Sequence, residues 1–369
     1  MKVALVYDRI NKWGGAERVL LALHKIFPKA PLYTSVYDKK NAKWAKAFKV
    51  HTTFLQKIPF AKSHHDMLAS FMPIAFETFN FDKYDVVISV TSEAAKGIVT
   101  KPGTLHICIC LTPTRYLWSG YKEYFKNPLL RFFATPMVWL LRKWDFAAAQ
   151  RPDSYIAISQ EVARRLKKYY KKIAPVIYPP IELKRTRLPK MQKNEYFLIV
   201  SRLVPYKKID LAIEACNRLK LPLKIIGTGS QEGKLRSIAG PTVEFLGSLT
   251  DNELIRYYND CTALLFPGFE DLGLTILEAQ QYGKPVIAHK AGGALETIIE
   301  GKTGEFFTPQ TVSALSKKLQ LLLKKRKIKV GSIGKNRYTE NCVKHARSFS
   351  QARFKKEILQ FIKEQKETL

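Results

Sequence analysis

Acidic residues are scarce in this chain. Asp and Glu together number 31 against 62 Lys and Arg, a formal net charge of +31. That imbalance points to a polyanionic neighbour: nucleic acid, an anionic membrane or a phosphorylated substrate. Cysteine is also sparse. Cys108, Cys110, Cys216, Cys261 and Cys342 are scattered and odd in number, with no Cys-x-x-Cys spacing. This argues against a disulfide framework or a zinc module and suits a reducing compartment. No apolar run reaches the roughly 20 residues of a membrane span. The longest, about Phe132 to Leu141, contains Pro136 and is closed by Arg142 and Lys143. There is no Asp-x-Asp, and His64-His65 reads as a surface pair rather than a metal site. The opening Met1–Asp8 segment turns polar too soon for a leader and reads as a first buried strand.

What is present builds cores. Hydrophobic residues make up 46% of the 369 and aromatics 12%, which excludes global disorder. At about 150 residues per domain the length suits two or three domains. Short apolar runs alternate with amphipathic stretches. Strands are expected at Lys2–Tyr7, Leu32–Val36, Asp85–Val90, His106–Cys110, Tyr155–Ile158 and Val176–Tyr178. A second series is expected at Tyr196–Ser201, Leu223–Ile226, Val243–Leu246, Ala263–Phe266, Pro285–Ala288 and Glu305–Phe307. Helical spacing fills Ala16–Phe27, Ile209–Leu219, Asp251–Asp260, Ser313–Leu323 and Ser350–Lys366. Continuous apolar strands alternating with helices imply parallel sheets covered on both faces. Tyr178-Pro179-Pro180-Ile181 then opens a polar, basic stretch to about Glu195, which suits a hinge. The expectation is an α/β chain of two doubly wound, Rossmann-like domains (1–180 and 195–345) around a hinge at 181–194. Ligands would sit in a central cleft at the strands' carboxyl ends, and residues 346–369 would form a helix able to pack back on the first domain.

Four segments carry candidate chemistry. Gly14-Gly15-Ala16-Glu17-Arg18 follows the first strand; glycines let a ligand approach the backbone and a helix start offers N–H groups to an anion, although an ordinary strand-to-helix turn reads the same. Arg202 and Lys207 follow the first strand of the second half, in a turn stiffened by Pro205. A guanidinium fork and a point charge suit a diphosphate, against the plain alternative of solvated charges. Gly227-Thr228-Gly229-Ser230-Gln231-Glu232-Gly233 has one residue too many for a dinucleotide fingerprint and is discounted as a nicotinamide site. In Phe266–Ala279 a strand end is followed by a turn bearing Glu270, a helix start near Gly273 and Glu278 inside the helix. The first carboxylate can accept from sugar hydroxyls, the helix start can face phosphate, and Glu278 can grip a ribose diol. A glycosidase-like acid/base pair, or plain acidity at a helix start, are the alternatives.

Taken in order, these segments resemble the large retaining glycosyltransferase family of GT-B fold known as family 4. Ala291-Gly292-Gly293-Ala294-Leu295-Glu296-Thr297 and Gly301-Lys302-Thr303-Gly304 fit the same pattern. The stretch from His106 to Trp118 looks like the bacterial and archaeal mannosyltransferases of O-antigen and polysaccharide assembly. The resemblance implies metal-independent, retaining transfer of a hexose, with mannose from GDP-mannose the best guess, to a lipid-linked or polysaccharide acceptor and without a cofactor. Arg202, Lys207 and Glu270 would then be catalytic. Gly14, Gly15, Gly227, Gly273, Leu274, Thr275 and Glu278 would bind the nucleotide-sugar donor, and Arg115, Tyr116 and Glu93 would face the acceptor. For Glu93, capping of a following helix by Ser92 is an equal reading. One departure stands out: relatives usually carry His where this chain has Leu111, and leucine can neither donate nor accept. A nucleotide-sugar-binding protein with degenerate catalysis is therefore the first alternative, and a basic scaffold for nucleic acid or membrane the second.

Basic residues cluster from Arg164 to Lys193 and from Lys317 onward. Leu129–Trp144 mixes aromatics with Arg131, Arg142 and Lys143. Such mixtures suit the headgroup layer of a bilayer, so peripheral binding at the inner, cytoplasmic face of an anionic membrane is expected. The alternative is a packed helix among solubilising lysines. No helix-turn-helix, zinc finger or aromatic RNA-binding motif is evident, so no nucleic-acid partner is expected.

Overall fold

The computed structural model describes residues 1–59, 61, 68–181, 196–327 and 337–368. His64, His65 and all of the expected hinge but Ile181 lie outside the described residues. The chain divides into two compact units: Met1–Pro180 with Ala352–Leu369, and Ile181–Gln351.

The first unit is built on β1 (Val3–Tyr7), β2 (Leu32–Thr34), β3 (Val50–Thr52), β4 (Val86–Thr91), β5 (Leu105–Cys110) and β6 (Ser154–Ala157), in the order β3-β2-β1-β4-β5-β6. Every pairing is parallel. All residues of β1, β4 and β5 are buried, as expected of central strands covered on both faces. The thiols of Cys108 and Cys110 lie in this core, where burial pushes Cys108 up to about 12. The helix Gln351–Glu367 buries Phe354, Ile358 and Ile362, and Arg353 donates to the Tyr178 carbonyl.

The expected strand at Val176–Tyr178 is a single bridge from Val176 to Ala157. Pro175, Pro179 and Pro180 surround it and cannot donate to a ladder, so pairing stops after one residue.

The second unit repeats the plan with β7 (Phe197–Val200), β8 (Leu223–Ile226), β9 (Val243–Gly247), β10 (Ala263–Phe266), β11 (Val286–His289) and β12 (Gly304–Phe307), in the order β12-β11-β10-β7-β8-β9. Alternate residues serve opposite faces: Phe197, Ile199 and Leu265 join one core, Leu198, Leu264 and Phe266 the other. The helix Ile209–Leu219 lays Ile209, Ala212, Ile213 and Cys216 on the first core at a helical repeat. The helix Asp251–Asp260 starts at a capping box, Thr250 with Glu253. In both sheets the strand order reverses between the first and fourth strands of the unit. The carboxyl ends of β1 and β4, and of β7 and β10, are therefore the topological switch points where open α/β sheets place ligands.

Candidate functional site

At the second unit's switch point, β7 leads into Ser201–Lys208. Pro205 opens a short 3-10 turn that ends in Lys207. The Lys207 side chain is buried, with its ammonium 5.2 Å from the Tyr206 ring centre and 6.0 Å from that of Phe266. It pairs with the Glu270 carboxylate, which leaves β10 on the neighbouring loop. The exposed guanidinium of Arg202 donates to the Tyr206 hydroxyl at 2.6 Å. A small cavity opens here against Ser201, Lys207, Phe266, Pro267 and Gly268.

Glycines allow these loops to touch. A Cβ at Gly227 would stand 1.9 Å from the Ser201 carbonyl oxygen, and one at Gly268 would stand 2.6 Å from Lys207 Cα. Gly227 thus acts by letting the loop that carries Arg202 pass over the end of β8. Gly293 donates to the Glu270 carbonyl at 2.9 Å, and a Cβ there would lie 2.3 Å from Leu272 Cα. Thr297 Oγ1 closes the turn by donating to Gly293 O at 2.9 Å. The fragment Gly292-Gly293 is therefore a clamp on the turn that presents Glu270.

Gly273 sits at φ +82°, left-handed backbone that a glycine adopts without strain, and starts the helix Leu274–Gln281 with no side-chain cap. Leu274 and Thr275 are half-buried at that start. Glu278 lies one turn further on. It is buried, and its Oε2 accepts from the Tyr258 hydroxyl at 2.8 Å. The fold thus gathers Arg202, Lys207, Glu270 and the Gly273–Thr275 helix start at one switch point, with Glu278 buried one turn along that helix.

The first unit's switch point is filled differently. Asp8, buried after β1, accepts from Thr91 Oγ1 at 2.7 Å, Ser92 N at 2.7 Å and Ala95 N at 2.9 Å. Burial, then the nearby Glu93 charge, raises its pKa. Ser92 is no helix cap: the Ala95 N–H from which its side chain would accept is spent on Asp8, and the turn Ala95–Gly97 has Ala94 at its cap position. Glu93 pairs with Arg9. Gly14 precedes the helix Gly15–Ile26 without a side-chain cap, and the Glu17 carboxylate stands beside it, accepting from Tyr7 Oη at 2.6 Å.

The loop after β5 begins with Leu111, 9% exposed, whose N–H donates to Thr91 O at 2.8 Å. Asp145, buried on the helix Pro128–Ala148, anchors the remainder of this loop. It accepts from Lys96 Nζ at 2.6 Å and from Thr114 Oγ1, Trp118 Nε1 and Tyr170 Oη at 2.7 Å each. Arg142 Nε holds the Leu117 carbonyl at 2.6 Å and Arg165 holds Thr112 Oγ1 at 3.0 Å. Arg115 and Tyr116 are half-buried on this fixed loop. Burial, then Glu93, Asp145 and Asp8, pushes the Tyr116 phenol well above its usual value. Sequence reading missed Asp8, Arg9, Lys96, Asp145 and Tyr258. Asp145 had a signal: it is the one acid in an otherwise apolar and basic helix.

Among the described residues no group of three or more His, Cys, Asp or Glu could hold a metal.

Residues 180–344 match the family model described as Glycosyl transferases group 1. An uncharacterized glycosyltransferase of Methanocaldococcus jannaschii is 26% identical over 194 residues, 51% of this chain and 54% of that protein. A lipopolysaccharide 1,6-galactosyltransferase of Salmonella typhimurium is 25% identical over 332 residues, 85% of this chain and 87% of that one. O-antigen chain mannosyltransferase C of Escherichia coli is 28% identical over 156 residues, 40% of each chain. The matches thus span about half or less of two of these relatives and most of the third. Among solved structures, sucrose-phosphate synthase of Thermosynechococcus elongatus superposes with TM-score 0.75 at 16% identity, covering 99% of both chains. Anabaena HepE, solved in complex with UDP-glucose, gives TM-score 0.73 at 18% identity over 99% of this chain and 100% of that one. The fold is GT-B.

Proposed function

We propose, from the match of residues 180–344 to the family model described as Glycosyl transferases group 1, that the chain transfers a hexose from a nucleotide-sugar to a lipid-linked or polysaccharide acceptor, with retention and without a metal. The observation that carries this reading is the Lys207–Glu270 pair beside Arg202 and an uncapped helix start, all at the switch point between β7 and β10. Bond breaking at the anomeric carbon leaves negative charge on the diphosphate. Arg202, Lys207 and the Gly273–Thr275 amides meet that charge as it develops. Glu270, its carboxylate oriented by Lys207, accepts from the donor sugar's hydroxyls. Glu278 binds the ribose, its second role being the bond from Tyr258. Within the first unit, Gly14 and Gly15 are read as donor-binding positions and Arg115, Tyr116 and Glu93 as acceptor-binding ones. Mannose from GDP-mannose is the favoured donor, supported by the likeness to an O-antigen mannosyltransferase. A UDP-sugar is its rival, since HepE was solved with UDP-glucose.

Leu111 favours a second reading, binding of the donor without efficient transfer. In the first reading the leaving phosphate itself takes the acceptor's proton, so a side chain at 111 is dispensable. Incubation with GDP-mannose, UDP-glucose and UDP-galactose in the presence of a lipid-linked glycan acceptor, following nucleotide release, separates the two. Release from at least one donor is expected, with the α-anomeric configuration of the donor kept in the product by NMR. Binding of every donor without release would establish the second reading, and binding of none would overturn both. Arg202→Ala should weaken donor binding by about 1.5–3 kcal/mol, the loss of a charge-assisted hydrogen bond.

A further inference from the structure

The helix Pro128–Ala148 has two unlike faces. One is built into the first unit: Val138, Asp145 and Ala148 are buried, Arg142 holds Leu117, and Asp145 fixes Thr114 and Trp118. Trp144, grouped in the sequence with the surface aromatics, belongs to this inner face, where it packs so closely on Gly97 that a Cβ there would stand 2.7 Å from its ring.

The other face is apolar and, among the described residues, uncovered. Leu129, Phe132, Phe133, Met137, Trp139 and Leu140 are all exposed, Phe132 by 73% and Phe133 by 71%. At 100° per residue, Leu129, Phe133 and Leu140 form a central stripe flanked by Phe132 and Trp139. Scattered exposed leucines are ordinary, but contiguous large aromatics on one helix face mark a surface that another phase or molecule covers.

Charge selects the occupant. The helix carries Arg131, Arg142 and Lys143, with Lys122, Glu123 and Lys126 just before it, and its one acid, Asp145, points inward. Lys143 stands 3.5 Å from the centre of the Trp139 ring, its ammonium at the edge of the apolar stripe. Lys167, Lys168 and Lys171 flank Tyr169, which stacks on Trp118 at 5.3 Å, one side chain from Asp145. A second copy of a chain with net charge +31 would be repelled here, whereas anionic lipid would be attracted. Among the described residues no helix is long and apolar enough to cross a bilayer. Its 21 residues instead suit a helix lying in the interface plane, aromatics down and cations at headgroup level. We propose that the exposed Leu129–Leu140 face of this helix seats the protein in the headgroup layer of an anionic bilayer. The same helix fixes the Thr112–Trp118 loop from its other side through Asp145 and Arg142, so the loop bearing Arg115 and Tyr116 keeps a set position relative to the lipid surface.

The test is flotation of the full-length protein with vesicles of phosphatidylcholine alone and of phosphatidylcholine with phosphatidylglycerol, alongside Trp fluorescence and ultracentrifugation. Wild type should float with the anionic vesicles, less so in high salt, with a blue-shifted emission. Phe132→Ser/Phe133→Ser/Trp139→Ser should lower partitioning at least about tenfold, equivalent to about 1.4 kcal/mol. Its melting temperature and its binding of GDP and UDP should be unchanged, a readout that separates this proposal from the donor-site reading. Arg131→Gln/Lys143→Gln should remove only the dependence on anionic lipid. Flotation of the triple variant equal to wild type, or no flotation of wild type, overturns the proposal. A wild-type dimer that the triple variant makes monomeric overturns it too, assigning the face to contact between copies.

Discussion

The two units share one strand order and differ in what occupies its switch point. After β1 and β4 the first unit satisfies its polar groups with its own: three residues donate to Asp8, Arg9 pairs with Glu93, and four donors converge on Asp145 nearby. After β7 and β10 the second unit brings backbone to backbone through Gly227, Gly268 and Gly293, leaves Arg202 exposed, and starts a helix without a cap. Topology fixes where a ligand can sit, whereas the side chains decide whether that place is a satisfied framework or an open electrostatic surface. On this contrast, damage to Asp8 or Asp145 registers in stability and damage to the second cluster in turnover.

The largest expected effect tests the first half of the contrast. Asp145→Asn removes the charge facing buried Lys96 and turns an acceptor of four bonds into a partial donor. Breaking one partner of a buried ion pair costs about 3–5 kcal/mol. Denaturant unfolding should show a lowered midpoint of that size; a midpoint like wild type would mean the loop 112–118 is held by something other than Asp145.

Lys207→Ala tests the other half. It deletes a cation from the developing diphosphate, and losing one such stabiliser lowers turnover by about 10²–10³, or about 2.7–4 kcal/mol. The partner left behind, Glu270, has a side chain 28% exposed and can be hydrated, so the loss of stability should be smaller than for Asp145→Asn. If Lys207→Ala melts the protein while keeping its nucleotide-release rate, the contrast between the two switch points is wrong.

How far the sequence reveals this depends on the range of the signals. The central strands are legible because burial on both faces demands unbroken apolar runs, as in Val86–Thr91. The helix Asp251–Asp260 is legible to the residue because Thr250 and Glu253 write its start locally. The edge strand Val50–Thr52 is three half-buried residues with no such run, and nothing local marks it. Lys207 and Glu270 could be placed near each other because each follows a strand and the doubly wound order puts those strands side by side. Asp145 could not, since its four partners come from residues 96, 114, 118 and 170, and no spacing encodes that meeting.

The smallest effect sharpens the picture of the first unit as a satisfied framework. His106 is fully buried on β5, its Nε2 2.9 Å from Ser89 Oγ. Burial, with the charge of Arg151 second, pushes its pKa down to about 3. The unfolded imidazole titrates near 6.5. Between these values the unfolded state binds a proton that the folded state refuses, so stability is full above about pH 6.5 and falls as the pH drops toward 3. The slope from one such group is at most about 1.4 kcal/mol per pH unit. His24, His51 and His345 are depressed in the same direction by burial, so the wild-type slope is a sum. Comparing wild type with His106→Asn between pH 6.5 and 5, above the ordinary carboxylate range, isolates one contribution. The variant should be less stable at neutral pH yet lose less on acidification. Parallel pH profiles for the two proteins would mean that His106 takes up its proton in place, and that the core around β5 is open enough to solvate it.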